Sequence, residues 1–433
     1  MIWNYMLENL IIQLQSIRIK NSCNPDFLSF IKKSKHNNRS NNEPKVKIVL
    51  LTHPSFLESV SMPRYAKMIA AGMLQRGHQV IEWRPKARLY RLPFQSIKKW
   101  LGYIDQYVIF PWEVRYRLFF CSKKTLFVFT DHALGPWVLL VKNRPHVIHC
   151  HDFLAQQSAL GTLPENKTGI TGRFYQKFIR WGFKKGTNFI SISQNTQRDL
   201  HTFLGRTPKL SKVIYNGLNQ SFEPTEDLSR LRKKLSSDLS LDLKNGYILH
   251  VGGNQFYKNR LGVLEIYEQC NLDFGISLPL LLVSKKTTPE LLEFKKTATA
   301  SDCIHFLEAI SNSELQALYQ GAKVFLFPSL YEGFGWPIAE AMASGCLVIT
   351  TNKAPMNEVG SKAAYYIDKK PTDVSQLGEW KKSASKILKE VIDLENKQRK
   401  KRIEIGLNQA KKFNTEACLD SMEMIYKEIL NVK

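Results

Sequence analysis

One stretch of the chain, residues 326–360, places the signals for a strand, a loop, a helix and a second strand in direct succession: LFPSLYEGFGWPIAEAMASGCLVITTNKAPMNEVG. Residues 324–328 form a short apolar run closed by proline, which predicts a buried parallel strand. Pro337 suits the first position of a helix, and Gly345 would end that helix. Residues 347–351 predict the next strand. The order indicates a βαβ unit and therefore an α/β fold.

Two carboxylates flank the predicted start of this helix. Glu332 lies in the loop and Glu340 in about the first helical turn, near free N–H groups that attract anions. Carboxylates accept hydrogen bonds from sugar hydroxyls, and Gly333 and Gly335 let the backbone approach a ligand. The amides around Phe334 would then face phosphate or sugar oxygens. This arrangement suits a phosphorylated sugar, although acidic residues in a first turn also occur for their interaction with the helix dipole alone.

The spacing Glu332-x7-Glu340, within PSLYEGFGWPIAEAMASG, resembles the signature of the retaining nucleotide-sugar glycosyltransferases of family four, or glycosyltransferase group 1. The resemblance implies the GT-B fold, in which two Rossmann-like domains face a cleft and the C-terminal helix crosses back to the first domain. It also implies that Glu332 contacts the donor sugar, that Glu340 holds the ribose, and that Gly333, Phe334 and Gly335 bind substrate.

Strand and helix signals alternate from Lys45 onward, whereas the chain before it combines an apolar stripe at helical spacing with a polar segment. Residues 222–244 are polar and charged, and we interpret them as the connection between domains. We divide the chain into four parts. Residues 1–44 would form an amphipathic helix with a flexible linker, and residues 45–222 an acceptor-side Rossmann-like domain. Residues 223–414 would form a nucleotide-sugar-binding Rossmann-like domain, and residues 415–433 a C-terminal helix that packs back on the first domain.

In the first domain the strand-like run HVIHCHDF contains His149 and His151. We expect these two to point to opposite faces of the strand, so that one of them faces a cleft. The family has a histidine at the end of this strand facing the donor sugar, and the resemblance gives that catalytic position to His151. A strand-end histidine by itself is more often a packing or hydrogen-bonding residue. Family members often carry glycines in the loop after the first strand, where this chain has His-Pro-Ser-Phe at residues 53–56.

In the second domain the run YILHVGG ends with Gly252 and Gly253 before a predicted helix, an arrangement that cradles phosphate. The resemblance implies that Lys258 binds the donor pyrophosphate. Family members typically carry an arginine at the position of Gly253, and we expect Arg260 to replace its guanidinium. An exposed Arg260 bound to nothing is the alternative. The chain has no Asp-x-Asp sequence, so we expect activity without a divalent metal or any other cofactor.

The formal net charge of +24 is the most unusual global property. Residues 81–124 hold ten Lys and Arg against three Asp and Glu, interleaved with aromatic residues that include Trp100 and Trp112. Basic side chains mixed with tryptophan and tyrosine suit the headgroup region of an anionic membrane. A solvated basic face over ordinary core aromatics is the alternative. Single-stranded nucleic acid ranks lower because no RNA- or DNA-binding signature is present.

Targeting signals are equally informative. No run approaches the roughly 18 apolar residues that span a bilayer, and the N-terminus does not read as a signal peptide. Seven cysteines are scattered without a C-x-x-C pair, which favours reduced thiols. We therefore expect a cytoplasmic protein, with a peripheral position at the inner face of the membrane as a further expectation.

The resemblance implies transfer of a hexose from a nucleoside diphosphate sugar to a hydroxyl of a glycan or lipid-linked acceptor, with retention, in cell-surface polysaccharide synthesis. A nucleotide-sugar epimerase or phosphorylase of the same fold is one alternative, and donor consumption without acceptor would mark the epimerase. A non-catalytic basic membrane-binding protein is another. The carboxylate pair argues against the last, because binding polyanions needs no carboxylates.

Overall fold

The computed structural model describes residues 45–56, 61–218 and 222–431. The amphipathic helix and linker predicted over residues 1–44 lie outside these ranges. The described chain forms two six-stranded sheets, with strand orders β2-β1-β3-β4-β5-β6 and β12-β11-β10-β7-β8-β9. All neighbouring strands run parallel. The prediction of two Rossmann-like α/β domains is confirmed.

The first sheet is built from near-continuous apolar runs such as LFVF, whose residues are all buried. A parallel strand covered on both faces requires this pattern. Its strands are β1 (Lys47–Leu51), β2 (Gln79–Trp83), β3 (Leu126–Phe129), β4 (His146–Cys150), β5 (Asn188–Ser191) and β6 (Leu210–Val213).

The helices of the first domain are α1 (Ser61–Gln75), α2 (Lys98–Ile104), α3 (Phe110–Leu118), α4 (Leu154–Leu160), α5 (Ile170–Phe183) and α6 (Gln194–Leu204). A π-helical segment, Asp105–Ile109, joins α2 to α3 without a break. The Asp105 carboxylate is buried and accepts hydrogen bonds from the backbone N–H groups of Arg88, Leu89 and Tyr90. This long helix is therefore fixed to the segment that follows β2.

The second sheet has the same construction. Its strands are β7 (Ile248–Val251), β8 (Leu280–Val283), β9 (Ile304–Leu307), β10 (Val324–Phe327), β11 (Val348–Thr351) and β12 (Tyr365–Ile367). The helices of this half are α7 (Leu228–Leu239), α8 (Arg260–Phe274), α9 (Pro289–Thr297), α10 (Asn312–Gly321), α11 (Trp336–Ala343), α12 (Met356–Gly360), α13 (Val374–Ile392), α14 (Asn396–Ala410) and α15 (Thr415–Leu430).

The segment interpreted as an interdomain connection contains helix α7. Asp227 caps this helix by accepting a hydrogen bond from the backbone N–H of Arg230. Leu235 is buried against the second-domain core. Leu231 and Leu239 pack beside that core at spacings of four, so an apolar stripe lies under the polar composition that suggested a connection.

The last helix, α15, returns to the first domain, as predicted. Gly72 of α1 leaves room for Leu419, since a Cβ at Gly72 would lie 2.4 Å from the leucine Cδ1. Arg76 Nη2 lies 2.7 Å from Asp420 Oδ1, and His78 Nε2 lies 2.9 Å from Glu423 Oε1. Apolar burial and charge pairing together hold α15 on the first domain.

Candidate active site

Glu332 and Lys258 meet at the carboxyl edge of the second sheet. They lie in the loops that follow β10 and β7, which are adjacent strands. Lys258 Nζ donates to Glu332 Oε1 at 2.7 Å, and Ser329 Oγ donates to the same oxygen at 2.8 Å. The two side chains are 15% and 8% exposed, so each charge is largely withdrawn from water and neutralised by the other. A ligand that carries hydroxyls and phosphates would exchange the contact between Lys258 and Glu332 for a contact to each of these side chains.

Glu340 lies deeper than expected. Helix α11 begins at Trp336, so Glu340 is its fifth residue and falls in the second turn; the first-turn placement was wrong. The carboxylate is buried, and Tyr319 donates its hydroxyl to Oε2 at 3.1 Å. Arg64 Nη2, from α1 of the first domain, lies 3.8 Å from Oε1. Burial raises the pKa of Glu340, while Arg64 opposes that shift.

His151 follows β4 directly and is buried. Its Nε2 donates to the Thr130 carbonyl at 2.8 Å, so the ring proton is on Nε2 and Nδ1 is the acceptor. Burial lowers the pKa of His151, which keeps the imidazole neutral at physiological pH. The ring of Tyr65 contacts both His149 and His151, with centroids 5.7 and 4.4 Å away. The expectation of opposite faces was wrong, because side chains two residues apart on a strand share a face.

The loop after β10 touches the end of β4 across the cleft. A Cβ at Gly333 would lie 2.3 Å from the His151 carbonyl oxygen, so only glycine allows this approach. Ser193 Oγ donates to the Gly333 carbonyl at 2.9 Å. Gly335 has φ +96°, a left-handed conformation that directs the chain into α11. The structure therefore brings Glu332, on the second domain, next to the His151 segment of the first.

Phe334 packs into the core with its ring centroid 5.3 Å from that of Phe413. Its side chain is buried, so a substrate contact at this position falls to the main chain. Gly252 and Gly253 follow β7 as predicted, and a Cβ at Gly252 would lie 2.8 Å from His250 Nε2. A side chain at Gly252 would therefore displace the packing under the loop.

Arg260 is the first residue of α8 and is 5% exposed, so the solvated alternative does not hold. Its Nη1 donates to Asn254 Oδ1 at 2.5 Å and to the Lys286 carbonyl at 3.3 Å. Nε and Nη2 have no hydrogen-bond partner among the described residues. These partners lie in the loops after β7 and β8, and neither of them is Lys258 or Glu332.

Arg260 and Asn254 line an open cavity of about 550 Å³, together with Pro164 and Glu165 of the first domain. Its lining does not include Glu332, Glu340 or His151. The cavity therefore lies next to the site of Glu332 and Lys258, at the N-terminus of α8.

Several groups around the cleft carry no motif in the sequence. Glu165 Oε1 accepts from Lys369 Nζ at 2.9 Å, and Tyr331, beside Glu332, donates to Glu165 Oε2 at 3.2 Å. In the loop after β1, His53 Nε2 lies 2.9 Å from Asp131 Oδ2. These contacts join residues far apart in the chain, so the fold alone reveals them.

The described ranges contain no group of three His, Cys, Asp or Glu placed to hold a metal ion. That the protein is active without a divalent metal stays a prediction, which an activity assay can test. Within the same ranges no helix has the length and apolar character needed to cross a bilayer.

Two parallel α/β domains that face a cleft, with a lysine–carboxylate pair at the carboxyl edge of the second sheet, define a protein of the GT-B type. The family model described as "Glycosyl transferases group 1" matches residues 232–404, and that described as "Glycosyltransferase Family 4" matches residues 62–222. The chain belongs to this glycosyltransferase family.

Among its relatives, O-antigen chain mannosyltransferase B of Escherichia coli is 31% identical over 184 residues, which cover 42% of this chain and 46% of the relative. The chain thus spans about half the length of the relatives it matches. Sucrose-phosphate synthase of Thermosynechococcus elongatus has a TM-score of 0.67 at 17% identity, covering 90% of this chain and 100% of that one. HepE of Anabaena, in complex with UDP and glucose, has a TM-score of 0.63 at 16% identity, covering 88% and 100%. These structures share the fold.

Proposed function

We propose that this protein transfers a hexose from a nucleoside diphosphate sugar to a hydroxyl of a glycan or lipid-linked acceptor, with retention, in the synthesis of a cell-surface polysaccharide. The observation that carries the proposal is the Lys258–Glu332 pair placed against the His151 segment. A cation for a leaving diphosphate and a carboxylate for sugar hydroxyls lie together at the strand ends, where open α/β sheets bind ligands.

Each residue of the site would have a role that follows from its chemistry. Lys258 would neutralise charge that develops on the departing diphosphate. Glu332, released from Lys258, would accept hydrogen bonds from hydroxyls of the donor sugar, and buried Glu340 would accept from the ribose. His151, neutral and fixed by Thr130, would contact the sugar from the first domain. Gly333 keeps the two domains close enough for both contacts, so positioning is the main contribution of the protein.

The proposed substrates also indicate where in the cell the protein would act. We propose that the protein works in the cytoplasm, at the inner face of the membrane when the acceptor is lipid-linked. The O-antigen role named for the Escherichia coli relative supports a cell-surface glycan as the product. Mannose is the first donor sugar to test, because that relative is named a mannosyltransferase.

The test begins with thermal unfolding in UDP-, GDP- and ADP-sugars, since a ligand that binds only the native state raises Tm with its concentration. The donor found this way is then assayed for transfer, with Glu332→Gln as the site variant and Glu379→Gln, at an exposed position of α13, as the matched control. We expect transfer to be lost in the first and kept in the second. Equal activity in both would reject the site, and donor consumption without acceptor would favour the epimerase.

A further inference from the structure

The first domain exposes an apolar stripe along its longest helix. Trp100, Ile104, Val108, Trp112 and Tyr116 recur every four residues through α2, the π-helical segment and α3, and all are exposed. Trp112 is 71% exposed. Two phenylalanines, Phe119 and Phe120, extend the stripe beyond the helix end. Spacings of four place these side chains on one side of the helix.

Helix α5 carries a second stripe of the same kind. Ile170, Phe174, Phe178 and Trp181 are exposed at spacings of four, four and three. The opposite side of α5 packs inward through Ile179, Gly182 and Phe183. The outward stripe is therefore additional to what the core needs.

Ring contacts join the two helices into one surface. Tyr107 and Tyr175 share a hydroxyl hydrogen bond of 2.7 Å. The ring centroids of Tyr103 and Tyr175 lie 5.4 Å apart, as do those of Tyr107 and Phe178. Phe178 stacks on Trp181 with centroids 6.0 Å apart. We call the exposed apolar side chains of residues 94–120 and 170–181 the aromatic face.

The charge around the aromatic face is positive. Residues 166–185 contain six Lys and Arg and no Asp or Glu. On the longer helix, Asp105 is buried and Glu113 Oε1 lies 2.5 Å from Arg88 Nη2, so neither carboxylate offsets the exposed cations Lys99 and Arg115. Soluble proteins rarely expose an apolar patch of this extent without a partner. A partner for this surface must accept inserted aromatics and carry negative charge.

We propose that the aromatic face is a docking surface for an anionic lipid bilayer. Tryptophan, tyrosine and phenylalanine side chains on two flat-lying helices insert at the boundary between headgroups and acyl chains, and the surrounding Lys and Arg bind lipid phosphates. The second helix had no place in the sequence prediction, which stopped at residue 124.

The aromatic face adjoins the acceptor side of the cleft. Gly102 of α2 packs against Phe56, in the loop after β1, and against Tyr90: a Cβ there would lie 3.3 and 3.2 Å from the two rings. Glu165, which contacts Tyr331 at the site, shortly precedes α5. A bilayer on this face would deliver a lipid-linked hydroxyl to the cleft from the first domain, a consequence that rests on the proposed function.

The experiment uses the full chain and sedimentation with vesicles of phosphatidylcholine alone or mixed with phosphatidylglycerol. We expect binding to the anionic vesicles at low salt and its decline with added salt. The double variant Trp112→Ser/Tyr116→Ser should lower the partition coefficient at least about tenfold, since it removes two inserted rings. Val374→Ser, an exposed apolar residue on the second domain, is its matched control.

Lys177→Glu/Lys184→Glu tests the charge, with Lys382→Glu/Lys386→Glu, at exposed positions of α13, as a control of identical net charge. Binding that is equal on neutral and anionic vesicles, or unchanged in both aromatic-face variants, overturns the proposal. A second result also overturns the proposal: the wild type does not bind vesicles and forms a dimer in sedimentation velocity, and the Trp112→Ser/Tyr116→Ser variant is a monomer. The aromatic face would then join two copies of the chain.

Transfer to a water-soluble acceptor glycan separates this proposal from the proposed function. The aromatic-face variants should retain it, whereas Glu332→Gln should lose transfer and still bind vesicles. Loss of vesicle binding with intact solution transfer in the variants supports docking. Absence of transfer in the wild type rejects the proposed function and leaves the vesicle result to stand alone.

Discussion

The two domains share one sheet construction but assemble their sides of the cleft differently. In the second domain, Lys258 lies in the loop after β7 and Glu332 in the loop after β10, and these two strands are adjacent in the sheet. In the first, Arg64 lies within helix α1 and His151 directly follows β4, so neither residue lies in a continuous loop-and-helix motif like the one that holds Glu332 and Glu340. One compact motif, residues 328–345, therefore encodes both carboxylates of the second domain, whereas tertiary packing assembles the first-domain side of the cleft. Four measurements test this contrast.

The largest effect is expected at the second-domain carboxylates. Glu332→Ala and Glu340→Ala should each lower kcat/KM by roughly 10- to 100-fold, since a hydrogen bond to a charged group is worth about 1.5–3 kcal/mol. Steady-state kinetics with unchanged circular dichroism would verify this. Wild-type rates in both variants would remove the site from this loop.

The two cations of the second domain should differ. Lys258→Ala should lower donor kcat/KM by about tenfold or more, because it removes a charge beside the leaving group. Arg260→Ala should lose less, since its Nη1 already binds Asn254 and only Nε and Nη2 remain for a ligand among the described contacts. Both are measured with and without a chelator. Wild-type donor kinetics in Arg260→Ala would end its assignment as the replacement guanidinium, and loss of activity in chelator would overturn the metal-free mechanism.

Each domain contains a buried neutral histidine on a strand. Burial lowers the pKa of His149, in the first domain, and of His250, in the second, to about 3 from the ordinary 6.5. Below pH 6.5 these histidines bind protons in the unfolded chain but not in the folded chain. The free energy of unfolding therefore has its full value above pH 6.5 and falls as the pH drops toward 3. Each histidine should contribute a slope of about 1.4 kcal/mol per pH unit.

Urea unfolding at several pH values measures that slope, and His149→Gln and His250→Gln should each remove one share of it. An unchanged slope in both variants would show that other groups dominate acid unfolding. A change in one variant alone would show that the two domains differ in acid sensitivity.

The smallest effect is expected across the cleft. Arg64 is partly exposed, and such pairs contribute about 0.2–1 kcal/mol, so Arg64→Ala should lower activity by about threefold. Because Arg64 opposes the burial that raises the pKa of Glu340, its loss should move the acid limb of the pH–rate profile to higher pH. Arg64→Lys should restore the limb. A profile identical to wild type would mean that the first domain does not tune this carboxylate.

Sequence patterns predicted the second domain well because its strand runs, glycines and carboxylates are local. The βαβ unit, the site loop and the glycines after β7 all follow from neighbouring residues. Glu340 was placed one residue too early in the helix, because Pro337 alone does not fix the helix start when Trp336 already has helical backbone.

The first-domain contributions were harder to predict. Arg64 of α1 reaches Glu340 and the ring of Trp336, both in α11, only in the folded chain, and His53 meets Asp131 because strands β1 and β3 are neighbours. Helix α7 was missed because its apolar stripe is thin and interrupted by charges. Such features depend on what an element packs against, which local composition does not record.

Helix α15 has a consequence for how the chain reaches its native state. Cys418, Leu419, Met422 and Tyr426 belong to one apolar cluster with Val46, Ile48 and other residues of the first sheet. During synthesis the first domain would leave the ribosome long before the helix that covers this surface. The apolar surface that α15 covers would stay exposed on the first domain until α15 has been synthesised, and exposed apolar surface favours aggregation of a partly folded chain. The C-terminal helix therefore acts as the closing step of folding for the domain that was made first.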